Sequence, residues 1–230
     1  MTDPIQPDRH TVSAFDAELS ELRVVLARMG GLAELALDKA LAALDRLDTA
    51  SAQEVVAEDR QIDALEAEVN QRVIGLIVRR APMADDLREV LAGHRMAGQI
   101  ERVGDYAKTI AKRVAKLEPH TAEASVRMLL DLSEGVRAML RDALNAFAAR
   151  DAAAAEQICV RDQKIDDLYN SLFLALLAEM MRDPQSIPTI SHLLFVAKSL
   201  ERVGDQATNI AELVYFALTS NELQTRHTRG

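Results

Sequence analysis

A chain of 230 residues that is 49% hydrophobic, only 3% aromatic and free of tryptophan has the Ala/Leu-rich make-up of a helical protein. Its formal net charge of −9 argues against a binder of the nucleic-acid phosphate backbone, which usually carries a basic face, so no nucleic-acid partner is expected. The single cysteine, Cys159, excludes an intrachain disulfide and fits a reduced, cytoplasmic setting. Met1–His10 is polar and holds two prolines, unlike a signal peptide. The most apolar stretch, Leu172–Met181, contains Glu179 and is too short to span a bilayer.

Taken in order, residues 1–12 read as a frayed lead-in because of Pro4 and Pro7. Ser13 then stands as an N-cap with Asp16 in the capping-box position. Phe15, Leu19, Leu22, Leu26, Met29, Ala33, Leu37, Ala40, Leu44 and Leu47 follow at alternating spacings of four and three, which predicts one long bundle helix. Gly30-Gly31 interrupts that seam and is read as a close-packing point. Asp48-Thr49 starts a second helix to about Arg80, with the stripe Val55, Ile62, Leu65, Val69, Val73 and Leu76. Pro82 marks a third, whose first turn carries Asp85 and Asp86 at the positive end of the helix dipole. Its stripe is Leu91, Met96, Ile100, Val103, Ala107, Ile110 and Val114, and it ends near Leu117. Glu118-Pro119-His120 is the seam between halves. Helices then run from about Thr121 to Arg150, Asp151 to Met181, and, past Asp183-Pro184, from Ile187 to Thr219. Nothing reads as a strand. The expected fold is all-α, with two tandem, pseudo-symmetric, antiparallel three-helix bundles over residues 13–117 and 121–219.

The halves share more than a plan. Glu101-Arg102-Val103-Gly104-Asp105 recurs as Glu201-Arg202-Val203-Gly204-Asp205, an offset of 100 residues, and both copies continue alike, through Ala107-Lys108-Thr109-Ile110-Ala111 and Ala207-Thr208-Asn209-Ile210-Ala211. So long a period means a duplicated unit. On a helix, carboxylates four residues apart leave the same face. Asp59 and Asp63 recur as Asp162 and Asp166 on the middle helices. At about 100° per residue, Asp59, Asp63, Glu66 and Asn70 border the apolar stripe, while Glu101 and Asp105 point nearly opposite theirs.

A solvated face is the ordinary fate of such pairs, and like charges at this spacing repel by a few tenths of a kcal/mol. Their duplication argues for more. Antiparallel packing would gather four carboxylates, and a multivalent cation would relieve their repulsion. Oxygen-only donors suit Mg²⁺, Mn²⁺, Ca²⁺ or iron. Gly104 and Gly204 leave room beside the second carboxylate for a helix or a ligand. Asn209, four residues past Asp205, extends the second face, where the first has Thr109.

Other constellations are weak. None of His10, His94, His120, His192 and His227 lies three residues after a Glu, which argues against a Glu-x-x-His di-iron bundle. One cysteine gives no zinc spacing, and phosphate loops and nucleophile elbows are absent. Arg79-Arg80 reads as a helix C-terminal pair. Three functions stay open on the residues alone: a metal-binding adaptor, a purely structural helical adaptor, and a carboxylate-bridged metal enzyme. The last is disfavoured by the missing His ligands and the absence of an evident acid–base pair.

Several stretches together resemble the PhoU family of bacterial phosphate-signalling regulators, from about His10 to Tyr215. They are His10-Thr11 with Phe15-Asp16 and Glu18-Leu19, Met29-Gly30-Gly31, Pro82 with Ala84 and Asp86-Leu87-Arg88, and Glu201 through Glu212. The resemblance implies two three-helix bundles carrying multinuclear clusters of iron, manganese, magnesium or zinc. Their ligands would be Asp59, Asp63, Glu101 and Asp105 in one half, and Asp162, Asp166, Glu201, Asp205 and Asn209 in the other. It also implies a non-enzymatic, cytoplasmic negative regulator of phosphate uptake. Such a protein contacts a sensor histidine kinase and the phosphate ABC transporter ATPase, reaches the membrane only through partners, and forms a homodimer. The chain departs from the pattern at Gln206, where a His is common, and at Thr109, where an Asn occurs. Tyr169 and Phe173 replace the equivalents of Glu66 and Asn70, which makes the second site the poorer one in middle-helix ligands.

Overall fold

A computed structural model describes residues 9–117 and 123–223. Seven α-helices and one 3₁₀ turn fill it, and no strand occurs among the described residues. Helix α1 spans Arg9–Arg46, α2 Thr49–Glu58, α3 Arg60–Arg80, α4 Asp85–Val114, α5 Glu123–Ala149, α6 Ala152–Arg182 and α7 Ile187–Thr219, the last preceded by the 3₁₀ turn Pro184–Ser186. Since α2 and α3 continue one another, six long helices result, three per half. The connection at 118–122 lies outside the described residues.

The apolar seams are what pack. From Phe15 to Leu44 every predicted seam position of α1 is buried, as is the whole stripe from Val55 to Leu76. Three expectations need correction. The first helix begins at Arg9, so Ser13 lies inside it and is not its cap, and part of the expected lead-in is helical. Leu47 lies past the end of α1 in a left-handed turn, φ 51°, and is only half-buried. Leu91 is 42% exposed, because Val90, its neighbour, is the residue that turns inward.

That left-handed turn shows the duplication in the backbone. Asp48 N–H bonds Ala43 O and Leu47 N–H bonds Leu44 O, while Asp151 N–H bonds Ala146 O and Arg150 N–H bonds Phe147 O. Both turns are the Schellman arrangement that closes a helix. In each, an aspartate then caps the next helix: Asp48 accepts from Ala50 and Ser51 N–H, Asp151 from Ala154 N–H.

The halves are not separate bodies. One continuous apolar core runs through both, and α4 packs on α7 as extensively as it packs on α1. The central pair runs antiparallel: Gln99 meets Asn209, and the Arg113 guanidinium lies 4.2 Å from the centroid of the Phe195 ring. Helix α1 also reaches α5. A Cβ on Gly30 would stand 2.6 Å from Leu144 Cδ2, so this glycine is a packing point, whereas Gly31 meets nothing.

Candidate metal centre

Both site glycines admit a neighbouring helix. A Cβ on Gly104 would lie 2.8 Å from Ile62 Cδ1, and one on Gly204 would lie 3.3 Å from Ile165 Cγ2. The duplicated glycine thus seats a duplicated isoleucine. This approach carries the carboxylates flanking each isoleucine, Asp59 and Asp63 or Asp162 and Asp166, against those flanking each glycine. Charge acts across the helices between Asp63 and both Glu101 and Asp105, and between Asp205 and both Asp162 and Asp166.

In the first half the second helix is broken at Asp59, where the sequence predicts a continuous helix. Ile62 N–H takes Asp59 O at 2.8 Å, a tighter turn than the helical bond from Asp63 N–H at 3.3 Å. The break coincides with an inward-turned Asp59, whose side chain is 6% exposed. Its partner is Lys108: the ammonium lies 2.5 Å from Asp59 Oδ2 and 3.4 Å from Asp105 Oδ1. The hydrogen bond to Asp59 holds the Lys108 pKa above its ordinary value. Glu101 has no such cation. Burial, then the neighbouring carboxylates of Asp105 and Glu66, push its carboxyl up to about 7. Burial and the charge on Asp59 raise Asp63 as well.

The Glu101 shift has a pH signature. Its folded-state pKa lies above its unfolded value of 4.5, so the folded chain holds a proton that the unfolded chain releases. Stability from this group is present below pH 4.5 and is lost as pH rises to about 7. Water screening of a partly buried group reduces an unscreened value of roughly 3 kcal/mol to about 1–2 kcal/mol. Denaturant titrations in chelator should therefore show Glu101→Gln gaining stability over the native chain at pH 8 but not at pH 4. Equal gains at both would count against the shift.

The second half is arranged differently. Oxygens of Asp166, Glu201 and Asp205 all lie within 4.8 Å of one another, the one such grouping of carboxylates among the described residues. Glu201 Oε2 is buried without a hydrogen bond; the Lys198 ammonium, 2.8 Å away, is close enough for charge but misaligned for a bond. Burial raises the Asp205 pKa against the pull of Arg202, 3.0 Å away, with Asp162 and Asp166 adding to the rise. Asp162 is buried and accepts from Thr208 Oγ1 at 3.0 Å. Asn209 turns the other way, its amide donating to Gln99 Oε1 on α4 at 3.2 Å.

An oxygen-only donor set with a buried, unbonded carboxylate oxygen fits a hard cation in the second half. The half expected to be poorer thus holds the tighter grouping. Residue identity along the middle helix did not show this; the halves also differ at Lys108, which stands where the second signature has Thr208. The remaining expected features are structural. Tyr169 and Phe173 pair at 6.2 Å between ring centroids, and Lys198 lies over Tyr169. Asn70 bonds His94, and Gln206 donates to Arg202 O. Arg79 and Arg80 both reach Glu18. Cys159 packs beside the core, where burial pushes its thiol up to about 12.

Two tandem three-helix bundles, each presenting carboxylates from its middle and last helices at a glycine crossing, define a class of helical carboxylate-faced protein. The chain belongs to the PhoU family: the PhoU domain model matches it twice, over residues 26–114 and 129–214. It is 47% identical over 221 residues to a Zymomonas mobilis protein named phosphate-specific transport system accessory protein PhoU homolog, covering 96% of this chain and 93% of that one. A Caulobacter vibrioides protein of the same name is 42% identical, covering 94% and 95%. Two solved structures share the fold. PhoU from Pseudomonas aeruginosa superposes with TM-score 0.84 at 33% identity, covering 90% of this chain and all of that one. The phosphate transport system regulatory protein PhoU from Streptococcus pneumoniae gives 0.85 at 29%, covering 91% and 99%.

Proposed function

We propose that this chain is a cytoplasmic, non-enzymatic negative regulator of phosphate uptake that binds metal and acts by contact. The observation that carries the reading is the double PhoU match, with relatives named as accessory proteins of phosphate-specific transport. Residues 13–117 and 121–219 are on this reading two copies of one unit, and the repeated Schellman turns support it. A sensor histidine kinase and the transporter ATPase are the proposed partners, with self-association into a homodimer. No helix among the described residues is long and apolar enough to cross a membrane, which suits a protein that meets membrane partners by contact.

The ligands proposed for the metal are the carboxylates of both halves: Asp59, Asp63, Glu101 and Asp105, and Asp162, Asp166, Glu201 and Asp205, with Asn209 beside the second set. The grouping of Asp166, Glu201 and Asp205 supports the second set best. Bound there, a cation would neutralise carboxylates from two helices and clamp α6 to α7. Deleting the gene should raise expression of phosphate-scavenging genes in phosphate-rich medium, measured by a reporter fusion. Unchanged expression would contradict the regulatory role.

A further inference from the structure

In each half, the residue three positions after the last signature carboxylate reaches the buried aspartate of the middle helix. Thr208 meets Asp162 at 3.0 Å with a neutral hydroxyl. Lys108 meets Asp59 at 2.5 Å with a full positive charge and lies 3.4 Å from Asp105 as well. The slot is the same and its charge differs. We infer that Lys108 is a tethered cation that takes the place of a metal ion in the first half, so that metal binding is concentrated in the second. This narrows the metal-binding reading proposed above, on which it rests, from both carboxylate sets to the second.

The ammonium bridges carboxylates from two different helices, which is the position a bridging metal would need. A cation bound to Asp59 and Asp105 would lie beside the Lys108 ammonium, so metal must either bind against that repulsion or expel Lys108 and leave its charge unpaired against the site. The second half also has cations, Lys198 and Arg202, but they pair with Glu201 and Asp205 at i, i+3 spacing on α7 itself. Both are over 40% exposed, so displacing them returns their charge to water, and these ion pairs involve no carboxylate of the middle helix. Lys108 is 28% exposed, and the Asp59 carboxylate it neutralises is almost wholly buried.

The test is Mn²⁺ binding by equilibrium dialysis with elemental analysis, on the full chain, in the native protein and in Lys108→Thr. Lys108→Gln, which keeps the stem and a donor, serves if the threonine variant does not fold. The native protein should bind Mn²⁺ in one class of site that survives Glu101→Gln/Asp105→Asn and is lost in Asp166→Asn/Asp205→Asn. Lys108→Thr should add a second class, removed by Glu101→Gln/Asp105→Asn. In chelator it should melt lower than the native chain, and added Mn²⁺ should restore it. Lys108→Arg should add no site. The inference is overturned, with the metal reading intact, if the native first half already binds Mn²⁺ or if removing Lys108 adds no site. If no variant binds Mn²⁺, the metal reading fails and takes the inference with it.

Discussion

Gly104→Leu should destabilise the chain by about 2–3 kcal/mol, near the upper end of the usual cost of over-packing a filled interior. A Cβ there already meets Ile62 Cδ1 at 2.8 Å and Asp59 Oδ1 at 3.5 Å, so a larger side chain forces α3 away from α4. Removing a glycine from a helix interior gains about 1 kcal/mol in propensity, which does not offset the clash. Gly31→Ala is the control, because nothing lies within 4 Å of its added carbon. That variant should be neutral or more stable by up to about 1 kcal/mol. Combining Gly104→Leu with Ile62→Ala should cost at least about 1 kcal/mol less than the sum of the single losses, the coupling expected of residues in contact. Urea titrations of the four variants measure this. Strict additivity would mean that the glycine does not seat the isoleucine.

Saturating metal should raise the melting temperature by about 5–10 °C, the second large effect. A ligand that binds only the folded state contributes about 2.7 kcal/mol at 100 times its dissociation constant, and each kcal/mol moves the midpoint of a chain this size by about 2–4 °C. The source of the stabilisation is local. Asp166, Glu201 and Asp205 are held within 4.8 Å of one another, and burial already raises the Asp205 pKa. A bound cation would replace that repulsion with attraction and tie α6 to α7. Calorimetry with Mn²⁺ and then with chelator checks it. Asp166→Asn/Asp205→Asn should melt no lower than the native chain in chelator, since it sheds repulsion, and should gain nothing from metal. A melting temperature indifferent to metal in both proteins would leave only a solvated acidic face.

Much of the fold was legible because it is written in periodicity. The α1 seam from Phe15 to Leu44 and the middle-helix stripe are buried as their spacing requires, and the repeated pentapeptide exposed the duplication. Gly30, Gly104 and Gly204 mark close approaches, as a missing side chain suggests. The failures are tertiary. Ser13 looks like a cap, but the helix starts earlier, at Arg9. The break at Asp59 coincides with a carboxylate turning inward to Lys108, a residue 49 positions away, which no local pattern encodes. Counting carboxylates on the middle helix ranked the sites by ligand number, whereas the folded chain groups three carboxylates in the second and sets Lys108 between Asp59 and Asp105 in the first. Asn209, on the motif face by spacing, is drawn instead to Gln99 of the neighbouring central helix.

The central claim is that the second-half carboxylates hold metal in this chain. Anaerobic purification without added metal or chelator, followed by elemental analysis, tests it most directly. Native protein should retain iron, manganese or another hard cation in stoichiometric amount, and Asp166→Asn/Asp205→Asn, purified identically and folded by circular dichroism, should retain none. Equal metal content in the two proteins, or none in either, would contradict it.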